Sequence, residues 1–440
     1  MYDYAHAEDF YLDEKDIVYM IAVASTLDGA AEDEVWIGNS DIEEDSFEFI
    51  DAINDEEVFT FKKCISAYIK FITNITSRWI GETLIVYEIL NSDYDNPIPI
   101  GTFVVQSDSL SSDRKTREII AYDFMFEIIN SDATAWYNSL SFPISIKDFR
   151  DSFFNEYGIE QETVDLINDD IIIPRQLSEE ESIDGATVVQ CLSELNGEFI
   201  HGSKRSTVKY ISIDRGNIHD TGLYPGFYPG LRTFPGIKYQ GGLEDIFKSY
   251  YKEESLIWAN YTTLEPDGIQ IRNQDNTGIA YQNNEGAENP YVITENFLLR
   301  DLSAGQYKII GDRLYEKIRE LTFTPFSAEL MGNPCVEVGD RVRIFTYSNE
   351  EIVSYVFMKH TVGTVVPWDT IEANGEYYFS KYDIAKPNTL KEKVNKLEQR
   401  TGNLEKSGSG PLQIVSVAEL PENPSLNVLY LIQGEVTRVT

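Results

Sequence analysis

The sequence predicts an α+β protein that is mostly β, and three observations carry that expectation. Residues 17–125 hold seven aromatic and β-branched runs of strand length. Around 145, in SIKDFRDSFFNEYGIE, and again at 185–197 the apolar spacing changes to that of a helix. From 390 to 404 an apolar seam recurs every three and four residues. The chain divides accordingly into a first β-rich region (1–140), a small α+β unit (141–215), a second β-rich region (216–385), a short coiled coil (386–408) and a small β end module (409–440).

The runs of the first region are IVYMIAVAS, DSFEFIDAI, EVFTFKKCIS, AYIKFITNI, ETLIVYEIL, IGTFVVQSDS and REIIAYDFMF. Asn, Asp, Gly or Pro stands between most of them, as an antiparallel sheet or barrel requires. In the α+β unit, Phe149, Phe153 and Tyr157 fall at i, i+4 and i+8 with Gly158 as the stop. Val188, Cys191, Leu192 and Leu195 share the face of a second helix that Asn196 and Gly197 end. EFIHG and TVKYISID then read as a hairpin.

In the second β-rich region, residues 220–242 are rich in Gly, Pro and aromatics and read as a long loop. The strands GIQIRN, GIAYQN and YVITENF follow, then a helix with Ile310, Leu314, Ile318 and Leu321 on its apolar face. The strands TFTPFSAEL, DRVRIFTY, EIVSYVFMKHTV and EYYFSKYDI complete the region. Within it, MGNPCVEVGDRVRIFTY (331–347) predicts a turn at Asn333-Pro334, a short strand, a second turn at Gly339-Asp340 and another strand.

Leu390, Val394, Leu397, Thr401 and Leu404 form the heptad seam, with leucine at d. Lys393 and Arg400 at g face Glu398 and Glu405 at e, which favours a parallel oligomer. Two heptads are marginal alone, so an assembly draws its stability from elsewhere.

The net charge of −38 argues against nucleic-acid or anionic-membrane binding. Residues 1–60 hold 19 acids and one base, Lys15, and residues 160–184 hold nine acids against Arg175. An acidic solvated surface accounts for such runs without naming a function. The amino terminus is acidic where a signal peptide is basic, and the apolar run Ile17 to Ala24 is too short to span a bilayer, so assembly in the cytoplasm and no membrane-spanning segment are expected.

Signatures of catalysis are missing. Cys64, Cys191 and Cys335 form no CxxC pair, which argues against a disulfide framework or thiolate zinc site. His6, His201, His219 and His360 stand far apart with no HExxH, and no phosphate-binding glycine motif occurs. No catalytic, metal or cofactor-binding residue is assigned, and no cofactor is expected.

Three stretches carry a family resemblance. IGTFVVQSDSLSSDRKTREIIAYDFMFEI (100–128) opens a strand with Gly101 and Phe103 and runs through Ala121, Tyr122 and Asp123 toward a methionine. TVVQCLSELNGEFI (187–200) is the helix of the α+β unit, and Gly332-Asn333-Pro334 with Gly339-Asp340 is the turn-rich corner described above. In that order they resemble the tail-hub family of long-tailed bacteriophages, baseplate proteins also known as tail-associated lysins or tail endopeptidases because some members carry an enzyme behind the hub. The likeness spans about residues 30–380 as an order of elements.

The resemblance implies a homotrimer in which two barrel-like β domains per subunit make a pseudo-sixfold ring at the virion tail tip. It implies as partners a distal tail protein ring, a tape-measure protein and receptor-binding or fibre proteins, with genome DNA passing through unbound. Leucine at d with Val394 at a leans toward two strands by packing rules. The family implies three, and three is the expectation adopted. Residues 412–439 resemble short β modules that end phage tail proteins and leave no room for a peptidoglycan hydrolase. The acidic first 30 residues and the 220–242 loop depart from the family pattern. The leading reading is therefore a non-enzymatic hub that opens for DNA ejection. The alternatives are a peptidoglycan endopeptidase and a carbohydrate-binding adhesin, the latter suggested by 27 tyrosines and the aromatic loop.

Overall fold

Strands from both ends of the first 380 residues meet in one sheet. The structure is a computed structural model and describes residues 11, 16–24, 35–55, 58–95, 97–204, 206–213, 243–272, 278–376, 413–417 and 428–432. The fold is α+β and mostly β.

The first region supplies β1 (Ile17–Ala24), β2 (Val35–Ile37), β3 (Glu48–Ala52), β4 (Tyr68–Thr73), β5 (Thr83–Leu90), β6 (Ile98–Leu110) and β7 (Arg117–Tyr122). Helices α1 (Met125–Ile129), α2 (Thr134–Ser139), α3 (Ile146–Glu156) and α4 (Gly185–Asn196) follow, with short strands β8 (Ile144–Ser145) and β9 (Ile172–Ile173) and the antiparallel hairpin β10 (Phe199–Gly202) and β11 (Val208–Ile211). Next come β12 (Leu243–Ile246), β13 (Ile257–Trp258), β14 (Gly268–Arg272), β15 (Ile279–Gln282), β16 (Pro290–Ile293) and α5 (Ala304–Ile318). The region ends with β17 (Phe326–Met331), β18 (Arg341–Phe345), β19 (Glu351–Tyr355), β20 (Met358–Val362) and β21 (Trp368–Ala373).

Eleven strands pair in the order β13-β17-β21-β20-β3-β4-β7-β6-β5-β1-β2. The two β-rich regions are joined at β3 and β20, whose antiparallel register sets Lys359 opposite Asp51 and Thr361 opposite Phe49. Alternate residues of a strand face opposite sides. In β4, β7 and β1 the inward set Ile69, Phe71, Ile119, Ala121, Tyr19 and Ile21 is buried in one core cluster. A second and larger cluster fills the space among the helices, the hairpin and β14–β21. Its aromatic centre includes Phe59, Phe61, Phe199, Phe323 and Phe357.

The helices begin and end where their chemistry directs. Ser145 accepts from Asp148 N and caps α3, and Asp184 accepts from Thr187 N and caps α4. Gly197, in the left-handed region at φ 60°, ends α4. Ser303 and Gln306 form a capping box on α5, whose face Ile310, Leu314 and Ile318 is buried, as is Leu321 just beyond.

The structure departs from the sequence reading in several places, among them the short helix α2 and strands β12 and β13, which the reading did not include. EVFTFKKCIS is not a strand where it is described: Phe59 and Phe61 are pulled into the aromatic core, and Phe61 N donates to Tyr291 Oη at 3.1 Å instead of to a ladder. REIIAYDFMF stops as a strand at Tyr122, because Asp123 Oδ1 accepts from Met125 N and starts α1. The segment 335–338 is turn and irregular chain and not a short strand; its backbone is held by side chains, as described below. EIVSYVFMKHTV is two strands in two sheets, β19 beside β18 and β20 beside β3. Strand β21 was missed, since Pro367 and two acids broke its apolar pattern.

Residues 381–440 form a separate compact unit in which β22 (Gln413–Val417) pairs in parallel with β23 (Val428–Ile432). The heptad seam Leu390, Val394, Leu397, Thr401 and Leu404 lies outside the described residues, as do the 220–242 loop and most of EYYFSKYDI. Among the described residues no helix is long and apolar enough to cross a membrane.

Candidate functional site

The stretch that leaves β17 and enters β18 is a corner built on buried charge. Gly332 N donates to Pro367 O at 2.8 Å, and Asn333 N donates to Asp369 Oδ2 at 2.8 Å. Asn333 Oδ1 accepts from Cys335 N at 2.9 Å, an Asx turn that Pro334 fits because its φ is already fixed. Lys359 points in from β20 and donates to Asn333 O at 2.5 Å and Val336 O at 3.0 Å, with Asp369 Oδ2 also at 3.0 Å. Thr361, two residues along the same face, donates to Asp369 Oδ1 at 2.6 Å. Both charges are buried, and each is surrounded by partners of the right sign, the condition under which a buried ion pair is tolerated.

The second turn closes the corner. Asp340 Oδ2 accepts from Glu337 N at 2.9 Å, Val356 N donates to Asp340 O, and Gly339 N donates to Val356 O at 2.7 Å. Gly339 has φ +88°, and a Cβ there would overlap Ile211 of β11, so both conformation and space demand glycine.

The hairpin β10–β11 is gripped from two sides. From the corner, Lys204 donates to Pro334 O at 2.7 Å and pairs with Glu337 at 2.9 Å, and Lys209 reaches the same carboxylate at 3.6 Å. From the sheet, Asp51 of β3 accepts from His201 Nε2 at 2.6 Å. Burial pushes the Asp51 carboxyl up, but the His201 ring and Lys209 outweigh it and hold the group below its ordinary value. Asp123, at the end of β7, accepts from Ser66 Oγ at 2.5 Å and lies against Gly202, where a Cβ would stand 2.6 Å from Asp123 Oδ2. Burial raises Asp123 to about 6 against the opposing pull of His201 and Ser66.

The three stretches singled out in the sequence thus meet. Asp123 from the first lies against Gly202, Phe199 and Ile200 of β10 come from the second, and Pro334 and Gly339 from the corner, whose turns Asn333 and Asp340 hold, meet Lys204 and Ile211 of the same hairpin region. The remaining residues of the first stretch lie elsewhere in the sheet. Phe103 folds its ring over Gly101, where a Cβ would stand 2.7 Å from Phe103 Cζ, and meets Phe49 edge to face. Ala121 is buried between Ile69 and Val105, and Tyr122, on the other face, stacks on Phe126 at 4.4 Å.

Sequence reasoning missed Asp51, His201, Lys204, Lys359 and Asp369. Lys204 stands in the β10–β11 turn, and the signal of the others was a charged or imidazole side chain at an inward-facing position of a strand run, as in FIDAI, FMKHTV and WDTIEA. Such a residue is almost never buried unless paired.

The chemistry of this arrangement is that of a clamp. Between Tyr19, Asp51, Glu88, Lys204, Val336 and Lys359 lies a cavity of about 20 Å³, room for about one water and no substrate. Burial drives the Cys191 thiol up to about 12 and raises Cys64 as well, which disfavours the thiolate of both. Among the described residues no three His, Cys, Asp or Glu side chains group to hold a metal ion.

Solved structures similar to this chain include phage tail proteins. The prophage tail protein gp18 from Listeria monocytogenes EGD-e matches with 12% identity and a TM-score of 0.46, over 89% of this chain and 99% of that one. The 43 kDa tail protein of prophage MuSo2 from Shewanella oneidensis has 9% identity and a TM-score of 0.46, over 81% and 97%. The tail protein from Neisseria meningitidis MC58 has 10% identity and a TM-score of 0.44, over 81% and 97%. At these values the likeness is one of chain path alone. No protein-family model matches the sequence, and no curated protein matches it.

Proposed function

We propose that the chain is a structural tail-hub protein of a long-tailed bacteriophage, without enzymatic activity of its own. The observation that supports this reading is the meeting of the three family-like stretches around β10–β11, where glycines at 202 and 339 and the buried pairs Asp51–His201 and Lys359–Asp369 lock the α+β unit to both β-rich regions. Such a joint fixes the relative position of three regions, as a subunit of a ring under mechanical force needs and as a hydrolase site does not.

In this reading three subunits, each contributing two barrel-like β regions, close a pseudo-sixfold ring at the tail tip. The ring docks on the distal tail protein ring and the tape-measure protein, carries receptor-binding or fibre proteins, and opens for DNA. Immunogold labelling of intact particles tests it: label confined to the tail tip is expected, and label on the capsid or along the tail shaft overturns it. A cleared band from the purified chain in zymography on host cell walls overturns the non-enzymatic part.

A further inference from the structure

The Asn333–Pro334 peptide bond lies inside the corner clamp with a charged side chain on each side. Asn333 is buried, and its carbonyl oxygen accepts from the buried Lys359 ammonium at 2.5 Å. Its side-chain Oδ1 accepts from Cys335 N at 2.9 Å, which folds the carboxamide forward along the bond that follows. Asp369 Oδ2 accepts from Asn333 N at 2.8 Å, and beyond the bond Lys204 Nζ donates to Pro334 O at 2.7 Å. Serine or aspartate would supply the same turn with an oxygen; asparagine also brings a nitrogen.

That nitrogen has a chemistry of its own. In the common reaction of an asparagine the backbone nitrogen of the next residue attacks the side-chain carbonyl, and the chain deamidates without breaking. Pro334 has no N–H and closes that route. In the other reaction Nδ2 attacks the carbonyl carbon of its own residue, and the peptide bond is cut. Both groups belong to one residue, so no encounter is needed, and the barrier lies in the negative charge that develops on the carbonyl oxygen. That oxygen is the atom Lys359 touches, in a buried setting where the attraction is stronger than in water.

We propose that the chain cuts itself once, between Asn333 and Pro334. Asn333 Nδ2 bonds to the Asn333 carbonyl carbon, the C–N bond to Pro334 breaks, and the proton that Nδ2 loses ends on the Pro334 nitrogen. Lys359 holds the oxyanion, and the Asp369 carboxylate beside Asn333 carries the proton. One piece then ends in a succinimide at position 333 and the other begins with the secondary amine of Pro334; no other reactant enters. Water afterwards opens the ring, and the cavity of about 20 Å³ that Pro334, Val336, Lys359 and Asp369 help to line admits about one molecule of it. The pieces stay together, because β17 pairs with β21, β3 with β20 and β12 with β18 across the cut. This is a single event on the chain itself, independent of the hub reading.

Intact-mass spectrometry of the purified full chain, kept for several days in mildly alkaline buffer with protease inhibitors, tests this. The expected pieces part between Asn333 and Pro334, the second opening on PCVEVGD, and their masses sum to that of the uncut chain, or to one water more once the ring has opened. Asn333→Ser keeps an acceptor for Cys335 N but has no side-chain nitrogen, and it is expected to stay whole. Lys359→Gln, which keeps a neutral donor, is expected to cut roughly a hundredfold more slowly, and unfolding the unaltered chain in urea is expected to stop the reaction. An unaltered chain that stays whole overturns the inference, and so does a cut that persists in Asn333→Ser; neither outcome depends on whether Lys359→Gln folds. Cutting at the unaltered rate in urea, or in Lys359→Gln with an unchanged melting curve, overturns it as well, because the clamp then plays no part.

Discussion

His201 Nε2 donates to Asp51 Oδ1 across 2.6 Å, and that bond ties β10 of the α+β unit to the strand where the two β-rich regions join. Asp51 is also the register partner of Lys359, so one carboxylate stands between the hairpin and the corner clamp. His201→Ala leaves Asp51 in the interior without its main partner, and a loss of roughly 3 kcal/mol is expected. Urea denaturation at pH 7 measures it; a loss under about 0.5 kcal/mol would show that the bond does not hold the hairpin.

Lys359→Met is expected to cost roughly 3–5 kcal/mol, because Asp369 then stays buried with its charge uncompensated. Adding Asp369→Asn removes that charge while keeping an acceptor for Thr361, so the double variant recovers part of the loss. A double-mutant cycle by denaturant titration reads the coupling, and strictly additive losses would refute the pairing.

Gly339→Ala and Gly81→Ala separate conformation from space. Both glycines have positive φ, +88° and +83°, but a Cβ at 339 meets Ile211 while at 81 it meets nothing within 4 Å. The expected cost is about 1 kcal/mol for Gly81→Ala and roughly 2–4 kcal/mol for Gly339→Ala. Equal costs in thermal or chemical melts would remove Ile211 from the account.

Glu194 makes stability depend on pH in an unusual direction. Burial raises its carboxyl to about 7 from 4.5, against the pull of Lys62 and the Asn296 bond, and Asp123 stands at about 6. A carboxyl whose pKa rises on folding binds its proton more tightly in the native state. Its contribution therefore improves as pH falls from about 7 toward the unfolded value and is poorest above about 7. Glu194→Gln is expected to stabilise the chain at pH 8 by roughly 2–3 kcal/mol and to flatten the rise in stability between pH 8 and pH 5. Melting curves across that range check it, and a Glu194→Gln variant less stable than the native chain at pH 8 contradicts it.

Oligomer state and the acidic excess follow from the hub reading. Light scattering is expected to give a trimer, and a stable dimer defeats it; removal of residues 387–440 is expected to weaken the trimer without unfolding the β regions. Part of the acid in 1–60 or 160–184 is expected to face the lumen, where it leaves DNA hydrated and sliding. A trimer structure with a neutral or basic lumen rules this out.

Periodicity alone determined most elements here. Helix spacing at Phe149 and Phe153 and the stops at Gly158 and Gly197 act within one or two turns of chain, so the sequence states them directly. The turns at Asn333-Pro334 and Gly339-Asp340 were legible for the same reason. What only the tertiary structure decided is which surfaces meet. The pairing of β3 with β20 joins residues some 300 positions apart, and nothing local at Phe49 or Thr361 encodes that choice. EVFTFKKCIS carries strand propensity, yet rings at 59 and 61 gain more from a buried aromatic cluster assembled by distant Phe199, Phe323 and Phe357 than from a ladder. The clamp was hidden because a buried Lys or Asp is stable only beside its partner, and the partners of Lys359 and Asp51 come from Asn333, Asp369 and His201, which the fold alone brings within 3 Å.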